Sequence, residues 1–350
     1  MLVTAALAVV AAGCGGGGGG GGGNEAATTS AAGGGGGGPA LKVGLVTDIG
    51  GLNDRSFNHL AYVGLQRAEK QLGVKGRVLT SGQNSDYVPN LTTLARQNYD
   101  LIIGVGFLMA DAVETVANKF PNTSFAIIDY SQAAMKSTPS NVEGLLFREQ
   151  QAGYLAGYLA GLVEKQGVGN VKSGSETISS VGGQKIPPVD HYIAGYQAGA
   201  KAADSGIKTV NGYSQDFVDQ AKCKELALNQ ISQGSDIVFQ VAGGCGLGAL
   251  DAAQQKGVWG IGVDADQAYL GKHILTSAIK KVDVAVFDTV QQVQDGSFNG
   301  GQDAFFDLTN DGVGLGKISS EVPQDIVDKV DQAKQKIVSG EISDIPDTVK

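Results

Sequence analysis

Basic side chains are in deficit: 26 Lys and Arg stand against 35 Asp and Glu over 350 residues, a net charge of -9. Phosphate backbones and anionic membranes are recognised by clustered positive charge, so nucleic acid is not an expected partner. Cysteine is scarce too, at 3 residues, which excludes a small disulfide-stapled domain. Aromatic residues make up only 6% of the chain, so an aromatic placed in a polar loop stands out as a candidate ligand contact. Beyond Ala12 no apolar run approaches the roughly 20 residues of a membrane-spanning helix. The histidines, His59, His191 and His273, show no metal-ligand spacing, and no Ser/His/Asp or Cys/His set suggests a nucleophile. Neither a metal, a cofactor nor catalysis is expected.

What is present is a chain that is 42% hydrophobic, enough to bury a sizeable core. The first 14 residues are apolar and small from Leu2 to Ala12 and end in Ala11-Ala12-Gly13-Cys14, which resembles a bacterial lipobox. On that reading residues 1–14 are a signal peptide and lipobox, and Cys14 carries lipid. No Lys or Arg precedes Leu2, so the start codon is expected to lie upstream. The runs Gly15–Gly23 and Gly33–Gly38 make residues 15–40 a flexible tether. The two remaining cysteines, Cys223 in a predicted helix and Cys245 in a strand-to-helix loop, either pair or are two unrelated buried residues.

From Leu41 short apolar runs alternate with amphipathic stretches, the βαβ rhythm of a parallel sheet covered on both faces. The runs Leu41–Thr47, Leu101–Val105 and Ser124–Asp129 belong to a first unit, and Thr209–Tyr213, Ile237–Val241 and Trp259–Val263 to a second. Ile274–Ser277 and the helix Val282–Val293 read as a return to the first unit, and Ala304–Gly316 reads as a β-hairpin around Asn310-Asp311-Gly312. The expected fold is α/β with two Rossmann-like lobes: 41–148 plus 263–297 as lobe I, and 149–262 plus 298–350 as lobe II.

Such a chain crosses between lobes three times and sets strand carboxyl ends from both on one cleft, where open α/β sheets bind ligands. The loops there carry Asp48, Asp54 and Phe57 after the first strand, then Asp129, Phe217 and Asp264. Two loop aromatics can sandwich a flat ring, each face worth roughly 1–3 kcal/mol. Carboxylates accept hydrogen bonds from vicinal hydroxyls and ring amines. The ligand that fits is flat at one end and hydroxylated at the other, a nucleoside. Asp48, Asp54, Asp129 and Asp264 face only Arg55 and Lys280, so a phosphate is repelled and a neutral ligand suits better. Blander roles compete: Phe57 and Phe217 as anchors of their own helices, Asp48 and Asp54 as helix caps, Lys280 as an exposed lysine. Gly244-Cys-Gly-Leu-Gly248 has the wrong spacing for a dinucleotide loop, and Asp264-Ala-Asp266 lacks the remainder of a calcium loop.

Five separated stretches occur in order: Val46-Thr-Asp-Ile-Gly-Gly-Leu-Asn-Asp-Arg-Ser-Phe-Asn58, Phe147-Arg-Glu-Gln-Gln-Ala-Gly-Tyr-Leu-Ala-Gly157, Val241-Ala-Gly-Gly-Cys-Gly-Leu-Gly248, Gly262-Val-Asp-Ala-Asp-Gln267 and Leu275-Thr-Ser-Ala-Ile-Lys280. Together they resemble the basic membrane protein family of substrate-binding lipoproteins. The resemblance implies a type I periplasmic-binding-protein fold with a three-segment hinge. It implies an extracytoplasmic, membrane-anchored monomer that takes a purine nucleoside to the permease of an ABC importer. Phe57 and Phe217 would stack the base, and Asp129, Asp264 and Lys280 would engage the ribose. Asn53, Asp54 and Asn58 would serve the base or the rim, and Asp48 with Gly243 and Gly244 would line the pocket. Rival readings are a binder of sugars or other hydroxylated solutes, a sensor without an importer, and a nucleoside-processing or dinucleotide-using enzyme.

Overall fold

A computed structural model describes residues 40–172 and 176–349. Cys14, the segment 1–14 and all of the proposed tether but its last residue lie outside the described residues. In chain order the elements are β1 (Lys42–Thr47), α1 (Phe57–Leu72), β2 (Lys75–Leu79), α2 (Tyr87–Arg96), β3 (Leu101–Val105), α3 (Ala110–Lys119), β4 (Ser124–Ile128), β5 (Val142–Phe147), α4 (Glu149–Gln166), β6 (Thr177–Gly182), α5 (Pro187–Ala203), β7 (Lys208–Tyr213), α6 (Gln220–Ser232), β8 (Ile237–Val241), α7 (Gly243–Lys256), β9 (Trp259–Asp264), β10 (Ile274–Lys280), α8 (Val282–Gln294), β11 (Asp303–Phe306), β12 (Val313–Leu315) and α9 (Gln324–Val338). No helix of the described residues is long and apolar enough to cross a membrane.

Two six-stranded sheets form, ordered β11-β5-β4-β3-β1-β2 and β12-β10-β9-β8-β6-β7. The orders match strand for strand, and every pairing is parallel except that of β12 with β10. The central strands β3 and β8 are buried along their whole length, as continuous Val/Ile/Leu runs require when helices cover both faces.

The last third of the chain departs from the sequence expectation. Ile274–Lys280 does not return to the first sheet: it lies in the second, with Ala278 paired to Val263. Of the strand and helix expected to return, α8 alone goes back, packing on α1. Residues 304–316 are not a hairpin either, because β11 pairs with β5 in the first sheet and β12 with β10 in the second. The lobe boundaries expected at 263 and 298 therefore fall inside regions that the sheets divide differently. The chain still passes between sheets three times, at Arg148, at Lys281 and between Phe306 and Val313.

Helices α4 and α5 meet almost backbone to backbone. A Cβ on Gly153 or Gly157 would collide with the Tyr192 or Tyr196 carbonyl oxygen, and one on Gly195 or Gly199 with those of Gln150 or Tyr154. The repeated Ala-Gly-Tyr-Leu of α4 is thus a packing stripe, since only a missing side chain permits that approach.

Cys223 of α6 and Cys245 of α7 form a disulfide, with Cα atoms 5.6 Å apart. Cys245 is in the first turn of a helix rather than in a loop, because α7 already starts at Gly243. Closing a loop between residues 22 apart restricts the unfolded chain, so replacing both cysteines with serine is expected to lower unfolding stability by about 2–4 kcal/mol. Denaturant titration of the oxidised protein against that variant checks this.

Candidate functional site

At the carboxyl ends of both sheets lies a cavity with about 600 Å³ of non-atom space, counted out to its open mouth. Its walls include Asp48, Asp54, Phe57, Asn58, Phe107 and Asp129 on one side and Pro188, Tyr192, Phe217, Gly243, Asp264 and Lys280 on the other. Nine of the eleven ligand contacts expected from sequence share this wall. Gly244 packs at the seam instead, where a Cβ would lie 3.3 Å from the Phe217 carbonyl oxygen and 3.7 Å from the Asp54 Cα. Asn53 lines a different depression, with Arg55, His59 and His273.

One end of the cavity is organised by the loop before α1. Asp54 caps that helix: its carboxylate accepts from the backbone N–H groups of Ser56, Asn58 and His59 at 2.7–3.0 Å. Four unpaired N–H groups open every helix, and a short acceptor at the start answers them. Asn58 is tied down as well, its amide nitrogen donating to Asp48 (2.7 Å) and Asp54 (3.1 Å) and its amide oxygen accepting from the Asp48 N–H (3.2 Å). These two residues hold the wall in place more than they offer free valences. Burial raises the Asp48 carboxyl to about 6, against the hydrogen bonds it accepts from Gly50 and Asn58.

Phe57 and Phe217 come from opposite sheets and reach the same cavity. Both are partly buried with their bases packed on the core. A Cβ on Gly183 would strike the Phe217 ring, and one on Gly106 would sit 3.4 Å from the Phe57 ring, so each phenyl rests on a glycine floor.

The other end is a buried charge cluster. Lys280, 2% exposed, places Nζ 2.6 Å from Asp129 Oδ1 and 2.8 Å from Glu149 Oε1. The same ammonium lies over the rings of Phe57 and Phe147, at 5.1 and 4.8 Å from their centroids. Burial works against the ammonium, but Asp129, Glu149 and Asp264 outweigh it and raise its pKa. Asp129 is pushed up to about 7 by burial, with Lys280 pulling the other way. Glu149 is also disfavoured by burial, yet Lys280 and His191 hold it below the ordinary carboxylate range.

Asp264 accepts from Ser56 Oγ (2.6 Å) across the cleft and from the Tyr192 hydroxyl (3.2 Å). Asp129 directly follows β4 and Asp264 ends β9, equivalent strands of the two sheets, and both have left-handed backbone, with φ 70 and 60. Non-glycine residues seldom hold that conformation, which concentrates at binding sites where the surrounding fold enforces it.

Sequence reasoning missed Glu149, Ser56 and Tyr192. Glu149 was visible only as an acidic residue opening a helix, a common feature. Ile186, Pro188 and Val189, just before and within the first turn of α5, also reach the cavity. Among the described residues no His, Cys, Asp or Glu cluster could hold a metal ion.

Two α/β sheets joined by three crossings, with a cleft at their carboxyl ends, define a substrate-binding protein of the type I periplasmic-binding-protein fold. Residues 41–348 match the family described as ABC transporter substrate-binding protein PnrA-like, and the chain belongs to it. It is 36% identical over 322 residues to a CD4+ T-cell-stimulating antigen of Listeria monocytogenes, covering 86% of this chain and 87% of that one. It is 35% identical over 325 residues to the ABC transporter nucleoside-binding protein BmpA of Lactococcus lactis subsp. cremoris, covering 87% and 88%. Among solved structures, an ABC transporter solute-binding protein from Aeropyrum pernix K1 superposes with a TM-score of 0.80 at 28% identity, covering 87% of this chain and 94% of that one.

Proposed function

We propose that this protein captures a nucleoside, a purine nucleoside foremost, between its two halves and delivers it to the permease of an ABC importer without making or breaking a bond. It works as a monomer on the extracytoplasmic face, anchored through lipid on Cys14. The observation that carries the reading is a single cavity with a phenyl ring from each half and a buried carboxylate–ammonium cluster at one end. Stacking at roughly 1–3 kcal/mol per face, with two or three hydrogen bonds to charged groups at about 1.5–3 kcal/mol each, suffices for micromolar binding, about 8.2 kcal/mol. The nucleoside-binding name of the Lactococcus lactis relative supports the ligand class. Contacts to both halves at once favour the closed arrangement.

The test is calorimetry with adenosine, guanosine, inosine and ribose, followed by product analysis. Purine nucleosides are expected to bind at micromolar level or tighter, and ribose far more weakly. Preferred binding of free sugars, or release of free base and ribose, overturns the proposal.

A pH dependence follows from Asp129. The ionised carboxylate is the stronger acceptor for a ligand hydroxyl, and burial pushes this carboxyl up to about 7. Ribonucleoside affinity is therefore expected to increase by about tenfold or more as pH rises through that range, whereas a 2′,3′-dideoxynucleoside gains much less. Parallel curves for the two ligands count against Asp129 as a ribose contact.

A further inference from the structure

The ammonium of Lys280 has two carboxylate partners of different standing. Asp129 faces the cavity from the end of β4. Glu149 is the first residue of α4, directly after the first crossing between the sheets, and is not on the cavity wall. Lys280 is the last residue of β10, directly before the second crossing. One ion pair therefore joins two of the three hinge segments. Glu149 is occupied on both oxygens: Oε1 accepts from Lys280 at 2.8 Å, and Oε2 lies 3.1 Å from His191 Nδ1 on α5. The Glu149 side chain is 2% exposed and that of His191 is 29% exposed, so the line from Asp129 to His191 runs from the cavity towards solvent.

In the structure Lys280 bonds Asp129 through Oδ1. A ribose hydroxyl donating to the same oxygen has to compete with that bond. A buried ammonium with no carboxylate in direct contact is left unpaired, at a cost no hydroxyl contact recovers; Asp264 acts on this one only through its charge. Glu149 removes this difficulty by remaining with Lys280 when Asp129 changes partner. We infer that Glu149, held by His191, is a positioning residue: it is the permanent counter-ion of Lys280, which allows Asp129 to exchange the ammonium for ligand hydroxyls while the hinge segments stay tied. The inference rests on the nucleoside reading of the cavity.

Around His191 the charged groups are Glu149, Lys280 and Asp347. Burial would lower the imidazole pKa, but Glu149 and Asp347 raise it overall, against Lys280. This favours the imidazolium, in which both ring nitrogens are donors and Nδ1 donates to Glu149 whatever the tautomer.

The experiment uses the full chain and the variants Glu149→Gln, Glu149→Asp and His191→Gln, with inosine and 2′,3′-dideoxyinosine as probes. Glu149→Gln is expected to weaken inosine binding by about tenfold or more and the dideoxy ligand much less, with Glu149→Asp recovering part of the loss. His191→Gln changes affinity in the same direction by a smaller factor. A second measurement needs no ligand: the ¹³C-carboxyl titration of Asp129, assigned with Asp129→Asn. In Glu149→Gln its midpoint falls, because the like charge of Glu149 is gone and Lys280 turns wholly to Asp129. Equal losses for both ligands, or an unmoved Asp129 midpoint, overturn the inference. If the unaltered protein binds neither probe, the nucleoside proposal falls, and the carboxyl titration alone still decides whether Glu149 sets the state of Lys280 and Asp129.

Discussion

Replacing Lys280 with methionine is expected to destabilise the ligand-free protein by about 3–5 kcal/mol, the cost of leaving a buried charge without its partner. Three carboxylates, on Asp129, Glu149 and Asp264, act on this one ammonium, and the side chains of all three are buried. Methionine keeps the length and the contact with the Phe57 and Phe147 rings, so the change isolates charge from volume. The loss depends on pH in a defined sense. A carboxyl whose pKa is raised on folding binds more protons in the folded state than in the unfolded one, so stability falls as pH rises between the two values. Asp129 already spans 3.8 to about 7 with the ammonium in place, and removing the cation raises the upper value further. The deficit should be large above neutral pH and shrink towards the ordinary carboxylate range. Denaturant midpoints at several pH values measure it. A deficit of under about 1 kcal/mol, the scale of an exposed ion pair, excludes the buried-cluster account.

Removing both phenyl rings of the cavity has the second large effect. Phe57→Ala and Phe217→Ala are each expected to weaken a purine nucleoside by roughly 1–3 kcal/mol, and the double variant by more than either alone. Both rings also pack on the core with their inner edges, so alanine costs stability as well as binding. Leucine at each position separates the two: it refills most of the volume without offering a flat face. Phe57→Leu and Phe217→Leu should melt close to the unaltered protein while losing most of the binding that alanine loses. If leucine restores both stability and affinity, the rings serve as wall and not as stacking plates.

The placing of Phe57 and Phe217 at one cavity was legible in sequence because each is an aromatic in a polar stretch directly after a strand. The acidic residues at strand ends were legible for a related reason, since open sheets expose those ends to one cleft. Asn53 shows the limit. It shares the loop of Asp54, yet one residue along a turn reverses the direction of a side chain, and it reaches another depression. Composition misled at Gly243–Gly248, where glycine density suggests a loop. Those residues begin α7, and their missing side chains make room for neighbours: a Cβ on Gly246 would meet the Gln240 side chain, and one on Gly248 the Gln220 carbonyl.

The alternation of buried strands and amphipathic helices, and with it the α/β class, was settled by the amino-acid sequence alone, because hydrophobic periodicity is a local property that each segment carries in full. Which sheet receives β10, β11 and β12 was decided only by tertiary structure. The pairing of Cys223 with Cys245 and the fate of Lys280 were decided there too. The ammonium of Lys280 meets the carboxylate of Glu149 across 131 residues of chain. No pattern within a window of sequence records such a meeting, since a lysine is solvated or buried according to whether distant carboxylates arrive to repay its lost hydration.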